Sequence, residues 1–408
     1  MNVSSNKTSA KLGGPLIRPL TYLMFMMFAM TTDSVGVIIP EVIREFQLSM
    51  TAGSSFHYAP MAAIGLAGVG LGFLADRLGR KRTIILGLSL FALNSFLFAV
   101  GNSFLFFLGL LVVSGAAIGI FKTGALALVG DITTTSREHT ATMNMAEGFF
   151  GVGAIVGPAV VAALLQAGVS WKWLYLIAGA LCVVLIVVAA FAKYPQAVRL
   201  NVEVVNIRDT MRMMGDPHAL GFSLGLFLYV AVECSIYVWM PSLLANYVGP
   251  AAWVATYSIS IFFILRAGGR FLGTWLLNLY DWTLIMAILS AAILLCFVGS
   301  IVFGERAAVF LLPLSGLFMS MIYPTLNSKG ISCFPKRLHG SVSGVILFFS
   351  CLAAALGPLA MGAVSDAFGG ARSGFVLATV FAGLLFSGLL ANCVAKPASL
   401  RLSAMENI

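Results

Sequence analysis

The chain has 408 residues, of which 60% are hydrophobic and only 10% are charged. A soluble globular protein cannot bury that much apolar surface, so this class of protein is excluded. The net charge of +9 does not indicate a nucleic-acid partner, because the basic residues lie in short segments between apolar stretches, where they orient a membrane protein. The composition predicts a helical protein embedded in a lipid bilayer.

Apolar segments of about 20 residues recur along the chain, and each is long enough to cross a hydrocarbon core of about 30 Å. In chain order, the predicted crossings are 17–39, 55–75, 83–102, 104–130, 143–166, 171–192, 219–246, 252–275, 281–303, 307–329, 339–366 and 373–395. We therefore predict an all-α membrane protein with twelve transmembrane helices. An N-terminal six-helix bundle (residues 1–193) and a C-terminal one (residues 219–408) are joined by a cytoplasmic linker (residues 194–218).

Lysine and arginine are distributed unequally between the two sets of loops. The set that contains both termini and the linker carries most of them, whereas the other set has only Arg44, Lys172, Arg306 and Arg372. Because cytoplasmic loops are enriched in these residues, we predict a multi-pass protein of the cell inner membrane with both termini in the cytoplasm. An even number of crossings is then required, and twelve satisfies this requirement.

Glycine and proline positions repeat between the two halves of the chain. Gly157-Pro158 recurs as Gly357-Pro358, Pro40 recurs as Pro241, and Gly72 recurs as Gly273, always at a spacing of 200 or 201 residues. Each pair lies in corresponding predicted helices, which indicates two parallel six-helix repeats. We expect Pro40 to end the first helix, and the two Gly-Pro pairs to kink helices that rock during function.

The loop between the second and third predicted helices has the sequence Gly72-Phe-Leu-Ala-Asp76-Arg77-Leu-Gly79-Arg80-Lys81-Arg82. This loop resembles the signature of the major facilitator superfamily, which implies that fold and a gating role for Gly72, Asp76, Arg77, Gly79 and Arg80. Gly72 would allow close helix approach, Gly79 a tight turn, and Asp76 a helix cap or a salt bridge between the halves. The alternative is that the basic run only marks membrane topology.

Three further stretches resemble the fucose-permease-like branch of this superfamily, whose members are mostly sugar:proton symporters. They begin at Met143, at Tyr229 and at Ile322, and the last contains Tyr323 and Asn327. The resemblance implies that Tyr323 and Asn327 line a solute pathway. Gly153 to Pro158 also resembles the fifth-helix motif of drug:proton antiporters, which keeps efflux open as an alternative.

Five ionisable residues fall within predicted crossings: Asp33, Lys122, Glu147, Glu233 and Arg266. Charges at this depth are costly, by about 2.5–3.5 kcal/mol on insertion scales, and usually mark a substrate or proton pathway. Asp33 is either a proton acceptor or the partner of Lys122 in a pair that locks two helices. Glu147 either faces the pathway or is stabilised by the dipole of its own helix.

The second half contributes Glu233 and Trp239, which together offer a hydrogen-bond acceptor and a flat apolar face, the combination that binds sugar rings. Arg266 either neutralises Glu233 or binds an anionic substrate. Lys122 departs from the resembled sugar permeases, which have a glutamate at its position. A permanent cation cannot carry the proton in place of that carboxylate. Either coupling shifts to Asp33, Glu147 or Glu233, or Lys122 binds an anionic group of the substrate.

The sequence lacks a phosphate-binding glycine loop, a metal-ligand cluster and a nucleophile constellation. We therefore expect no enzymatic activity, no metal and no cofactor, with the proton gradient as energy source. The resulting prediction is a monomeric, proton-coupled transporter of a small polar organic solute (a sugar, a sugar derivative or an organic anion) that works by alternating access. The alternative is a drug or metabolite:proton antiporter.

Overall fold

The computed structural model describes residues 14–71, 74–133, 136–195, 213–335 and 338–406. Throughout these ranges the regular secondary structure is helical. The helices are α1 (Ile17–Thr32), α2 (Val35–Phe46), α3 (Met50–Gly70), α4 (Leu74–Arg77), α5 (Arg80–Phe96), α6 (Phe104–Asp131), α7 (Ser136–Gln166), α8 (Trp173–Phe191), α9 (Pro217–Leu244), α10 (Ala252–Thr256), α11 (Ser258–Leu279), α12 (Trp282–Phe303), α13 (Glu305–Met319), α14 (Ile322–Ser332), α15 (His339–Phe368), α16 (Ala371–Ala395) and α17 (Pro397–Glu406).

Eleven segments of the described chain are long and apolar enough to cross a membrane. They correspond to every predicted crossing except the second, which α3 provides as a helix of 21 residues. The tenth crossing, Glu305–Ser332, combines α13 and α14. The all-α prediction is confirmed.

The first crossing extends further than the sequence predicts. It runs over Ile17–Phe46, with a short break between α1 and α2 at Asp33 and Ser34. The prediction that Pro40 ends the helix is wrong, because Pro40 lies inside α2. Proline removes one donor but its fixed φ is compatible with a helix, so a helix in a membrane protein can continue through it.

The chain divides into two compact units. The first comprises Met1–Ile38 and Ser55–Asn201, and the second comprises Ile39–Ser54 and Val202–Ile408. The second unit thus includes a short segment that the sequence repeat assigns to the first half. The predicted bundle boundaries at residues 193 and 219 stay a prediction.

Aromatic side chains fill the core of the first unit. Phe28 of α1 lies with its ring centroid 4.9 Å from that of Phe91 and 4.6 Å from that of Phe121. All three rings are buried, and Met24 and Leu88 belong to the same apolar cluster. These contacts tie α1 to α5 and α6.

Glycines bring α1 and α7 into close contact. A Cβ atom added to Gly153 or Gly157 would overlap the carbonyl oxygen of Met26 or Met30, respectively, on α1. Two glycines four residues apart are a common means of close helix packing in membranes. Pro158 follows Gly157 inside α7, which runs on to Gln166.

The second unit repeats this arrangement with α9 and α15. A Cβ atom on Gly357 would lie 3.2 Å from the Cα of Ala231, and the indole Nε1 of Trp239 donates a hydrogen bond of 3.0 Å to the Pro358 carbonyl oxygen. The Gly-Pro pair therefore lies at the contact between the same two helices of each repeat. Whether these prolines act as kinks in a rocking helix stays a prediction.

Carboxylates cap several helix N-termini. Asp216 accepts a hydrogen bond from the backbone of His218 (2.8 Å) at the start of α9. Asp281 does the same for Thr283 (2.9 Å) at the start of α12, and hydrogen bonds from the Thr283 side chain and backbone hold the pKa of Asp281 below its usual value. These caps satisfy backbone donors that a helix leaves unpaired.

Candidate functional site

The buried charges of the second unit lie on α9 and α11. Glu233 is only 7% exposed, and its Oε1 lies 2.5 Å from Nη2 of Arg266. Two opposite charges this deep in a helical bundle stabilise each other because either one alone would be strongly disfavoured. Of the two alternatives that the sequence left open for Arg266, the structure thus favours its role as the neutralising partner of Glu233.

Tyr229 joins this pair from one helical turn earlier on α9. Its buried hydroxyl donates a hydrogen bond of 2.9 Å to the Met319 carbonyl oxygen, and its ring centroid lies 6.1 Å from that of Tyr323 on α14. Sequence reasoning did not nominate Tyr229, although its spacing of four residues from Glu233 places both on one helix face. Glu233, Arg266, Tyr229 and Tyr323 are referred to below as the Glu233 cluster.

Asn327 and Trp239 are two other residues of the second unit that the sequence predicted to line the pathway. Asn327 follows Tyr323 by one turn on α14, and both side chains are partly buried. Trp239 is 1% exposed, and its only donor is used by the Pro358 carbonyl. Trp239 therefore has a clear packing role between α9 and α15, while its predicted contact with solute stays a prediction.

In the first unit, Asp33 occupies the break between α1 and α2. Its backbone N–H donates to the Ala29 carbonyl (3.0 Å), and its carboxylate accepts a hydrogen bond of 3.0 Å from the Thr32 hydroxyl. The side chain is partly buried. The predicted role of Asp33 as a proton acceptor stays a prediction.

Lys122 and Glu147 lie on α6 and α7 of the same unit. The Lys122 ammonium is 5.5 Å from the ring centroid of Phe150, within the range of a cation–π interaction. Glu147 precedes Phe150 by three residues, and its side chain is exposed. The predicted pathway roles of Lys122 and Glu147 are not decided by these contacts.

Basic residues at the start of α5, directly after Gly79, bind the C-terminal ends of two other helices. Gly79 adopts φ +83°, a conformation that glycine allows at no steric cost. Arg80 Nε then lies 2.9 Å from Asp131 Oδ2 at the end of α6, and Lys81 Nζ donates to the Ala190 carbonyl (2.7 Å) at the end of α8. Cations at helix C-termini are favourable because of the helix dipole.

The residues predicted to form the gate lie in the same segment, from Gly72 to Arg82. Arg77 is exposed, whereas Gly72 and the side chain of Asp76 lie outside the described residues, so their predicted contacts stay a prediction. Asp131 was missed by sequence reasoning, since a single acid at a helix end carries no distinctive signal. Within the residues that the structure covers, no group of three or more His, Cys, Asp and Glu side chains is arranged to hold a metal ion.

The chain combines many helices long enough to cross a membrane with buried ion pairs between them. This combination is typical of a polytopic membrane transporter. Residues 21–358 match the Major Facilitator Superfamily, and the chain belongs to this family.

Relatives at full length support the same family. The chain is 25% identical over 386 residues to a glucose/galactose transporter of Brucella abortus biovar 1 (strain 9-941), covering 90% of this chain and 92% of that protein. It is 24% identical over 388 residues to the L-fucose-proton symporter of Escherichia coli (strain K12), covering 85% and 86%. The crystal structure of a bacterial homologue of the human lysosomal transporter Spinster shares the fold, with a TM-score of 0.77, 15% identity and coverage of 96% and 97%. The predicted major facilitator fold, with a fucose-permease-like relative, is confirmed.

Proposed function

We propose that the protein is a proton-coupled secondary transporter of a small polar solute, with a sugar or sugar derivative as the first candidate. Similarity to a glucose/galactose transporter and to an L-fucose-proton symporter over most of the chain is the observation that carries this proposal. Membership of the family supports proton coupling and alternating access, and the distribution of lysine and arginine supports a location in the inner membrane with cytoplasmic termini. The protein needs no bound cofactor in this scheme and works as a monomer.

The Glu233 cluster supplies the chemistry that such a transporter needs. Protonation of Glu233 would remove the negative charge that holds Arg266, since a neutral carboxyl group attracts a guanidinium far less than a carboxylate does. Arg266 and the aromatic rings would then be available to the hydroxyl or carboxyl groups of a solute. Proton binding and solute binding would thereby be linked through one ion pair.

The test is uptake into proteoliposomes under an imposed pH gradient. Glucose, galactose and fucose should accumulate, and Glu233→Gln should abolish gradient-driven accumulation because a neutral side chain cannot bind and release the proton. Glu305→Gln is the matched control, since Glu305 is an exposed carboxylate at the start of α13 and should leave accumulation unchanged.

Other outcomes assign the function differently. Accumulation of an organic anion but of no sugar would identify the anion as the substrate and Arg266 as its binding group. Proton-driven extrusion of a dye would support the antiporter alternative. If both Asp33→Asn and Glu233→Gln transported normally, neither carboxylate would be the proton site. No flux of any sugar, organic acid or dye would contradict transport itself.

A further inference from the structure

A groove of about 540 Å³ runs along the second unit between the N-terminal part of α9 and the C-terminal part of α16. Its floor is apolar and buried, and consists of Phe222, Leu326, Leu385 and Leu389. Leu224 and Leu384 line its sides and are 45% and 53% exposed. The volume falls within the range of roughly 300–1,000 Å³ that is usual for ligand pockets.

The groove is open because glycine residues, which have no side chain, line it. Gly221 on α9 and Gly388 on α16 both line it, and a Cβ atom added to either would meet nothing within 4 Å. Gly225, one turn after Gly221, would place a Cβ atom 3.8 Å from Leu326 Cδ1 in the floor. Larger residues at these positions would fill the space, so the groove depends on glycine.

The length of the groove matches one leaflet of a bilayer. Its lining runs from Pro217 to Leu228 on α9 and from Leu384 to Ala395 on α16. At 1.5 Å per residue each stretch is roughly 17 Å long. Half of a hydrocarbon core of about 30 Å is about 15 Å, which is the depth that the acyl chains of one leaflet occupy.

The polar end of the groove lies where a lipid headgroup would be. His218 and Asn392 line it near the first residue of α9 and the last turn of α16, which are the ends of two membrane crossings. Charged residues of both signs adjoin this end. Asp216 Oδ1 is 3.9 Å from Nδ1 of the lining residue His218, and Lys396 stands between the lining residues Ala395 and Pro397. A headgroup that carries both a phosphate and an ammonium group complements this arrangement.

We propose that the groove is a binding site for one acyl chain of a zwitterionic glycerophospholipid of the phosphatidylethanolamine type. The lipid headgroup contacts the His218 and Asn392 end, and its chain lies over the Phe222, Leu385 and Leu389 floor. The site lies on the unit that contains the Glu233 cluster, but the proposal does not depend on the transported solute.

The test combines groove-filling variants with native mass spectrometry of the full protein released from membranes. Gly221→Leu and Gly388→Leu should each reduce the fraction of protein that carries a phospholipid at least fivefold. Gly109→Leu on α6 is the matched control, because its added Cβ atom also meets nothing within 4 Å while Gly109 lies outside the groove. It should retain the lipid.

A second measurement needs no variant. Adding phosphatidylethanolamine to delipidated wild-type protein should raise its melting temperature more than phosphatidylglycerol with the same chains does. Equal lipid occupancy in the wild type and both groove variants would overturn the proposal. Loss of a dimer instead of a lipid in those variants would assign the groove to a second copy of the chain, and a greater shift with phosphatidylglycerol would rule out the zwitterionic headgroup.

Discussion

Arg80 and Asp131 form a buried ion pair in the first unit, with side chains 13% and 7% exposed. The exposed pair between Glu41 and Arg44 has an arginine side chain that is 76% exposed. Solvent screens the exposed pair much more strongly than the buried one. Similar pairs of residue types therefore have very different energetic consequences.

We predict that Arg80→Met destabilises the protein by about 3–5 kcal/mol, because the substitution leaves the Asp131 carboxylate buried without its cation. Thermal unfolding in detergent, followed by circular dichroism, measures the effect. Arg44→Met should change the free energy of unfolding by less than about 1 kcal/mol. Adding Asp131→Asn to Arg80→Met should restore part of the loss, and no recovery would argue against an unpaired charge as the cause.

At the scale of elements, small residues determine how closely helices approach. Gly151 and Gly157 are both in α7, yet a Cβ atom on Gly151 meets nothing within 4 Å whereas one on Gly157 overlaps α1. Alanine also has a higher intrinsic helix propensity than glycine, by about 0.8–1.0 kcal/mol. Substitution by alanine changes helix propensity equally at the two positions but creates a steric clash only at Gly157.

Gly157→Ala should lower the melting temperature, because the clash is with backbone, and overpacking of this kind usually costs about 1–3 kcal/mol. Gly151→Ala should leave the melting temperature unchanged or raise it slightly. The comparison is made by thermal unfolding of both variants in the same detergent. Equal effects in the two variants would show that α1 and α7 are not tightly packed.

A second element-scale feature is the start of α3. The Asp366 carboxylate near the end of α15 accepts hydrogen bonds from the backbone N–H groups of Met50 (2.7 Å) and Thr51 (2.8 Å). An acid from a distant helix thus adds to the local cap, in which the Ser49 hydroxyl accepts a hydrogen bond of 3.1 Å from the Ala52 N–H, and it binds the positive end of the α3 dipole. This contact lies wholly within the second unit and anchors residues 39–54 there.

We predict that Asp366→Ala destabilises this contact by about 0.5–2 kcal/mol, the usual cost of losing an N-cap. Hydrogen–deuterium exchange should show faster exchange of the Met50 and Thr51 amides. Asp366→Asn retains an acceptor and should show a smaller effect. Unchanged exchange at these amides in Asp366→Ala would mean that Asp366 does not protect the Met50 and Thr51 N–H groups.

For the whole molecule, the number of crossings determines where the termini lie. In the part of the chain that the structure describes, eleven segments meet the length and hydropathy requirements for a crossing, and α3 as a further crossing would bring the number to twelve. An even number would place both termini on the same side, and from the basic loops we predict that this side is the cytoplasm.

Reporter fusions test this topology. Alkaline phosphatase fused after residue 406 should be inactive, because it stays in the cytoplasm, whereas a fusion within residues 247–250 should be active. Green fluorescent protein should give the opposite pattern at the same sites. An active phosphatase at residue 406 would contradict the predicted orientation.

Several properties of this protein follow from its sequence alone. Hydrophobicity over about 20 residues determines whether a segment crosses a membrane, so the crossings were predictable from local composition. The repeated Gly-Pro pairs and the Gly72 to Arg82 segment pointed to the family because each motif consists of neighbouring residues that can be recognised in the sequence without the fold. The end of the first helix was missed because Pro40 is a strong local signal that a membrane helix tolerates.

The tertiary structure alone decided which distant side chains meet. From the sequence, Arg266 could either neutralise Glu233, 33 residues away, or bind an anionic substrate. Its contact with Glu233 and the placement of Tyr229 beside them depend on how α9, α11 and α13 pack. The pairing of Arg80 with Asp131 and the capping of α3 by Asp366 are likewise contacts between separate helices. Such contacts arise from packing in three dimensions, and residue type and spacing along one helix do not encode them.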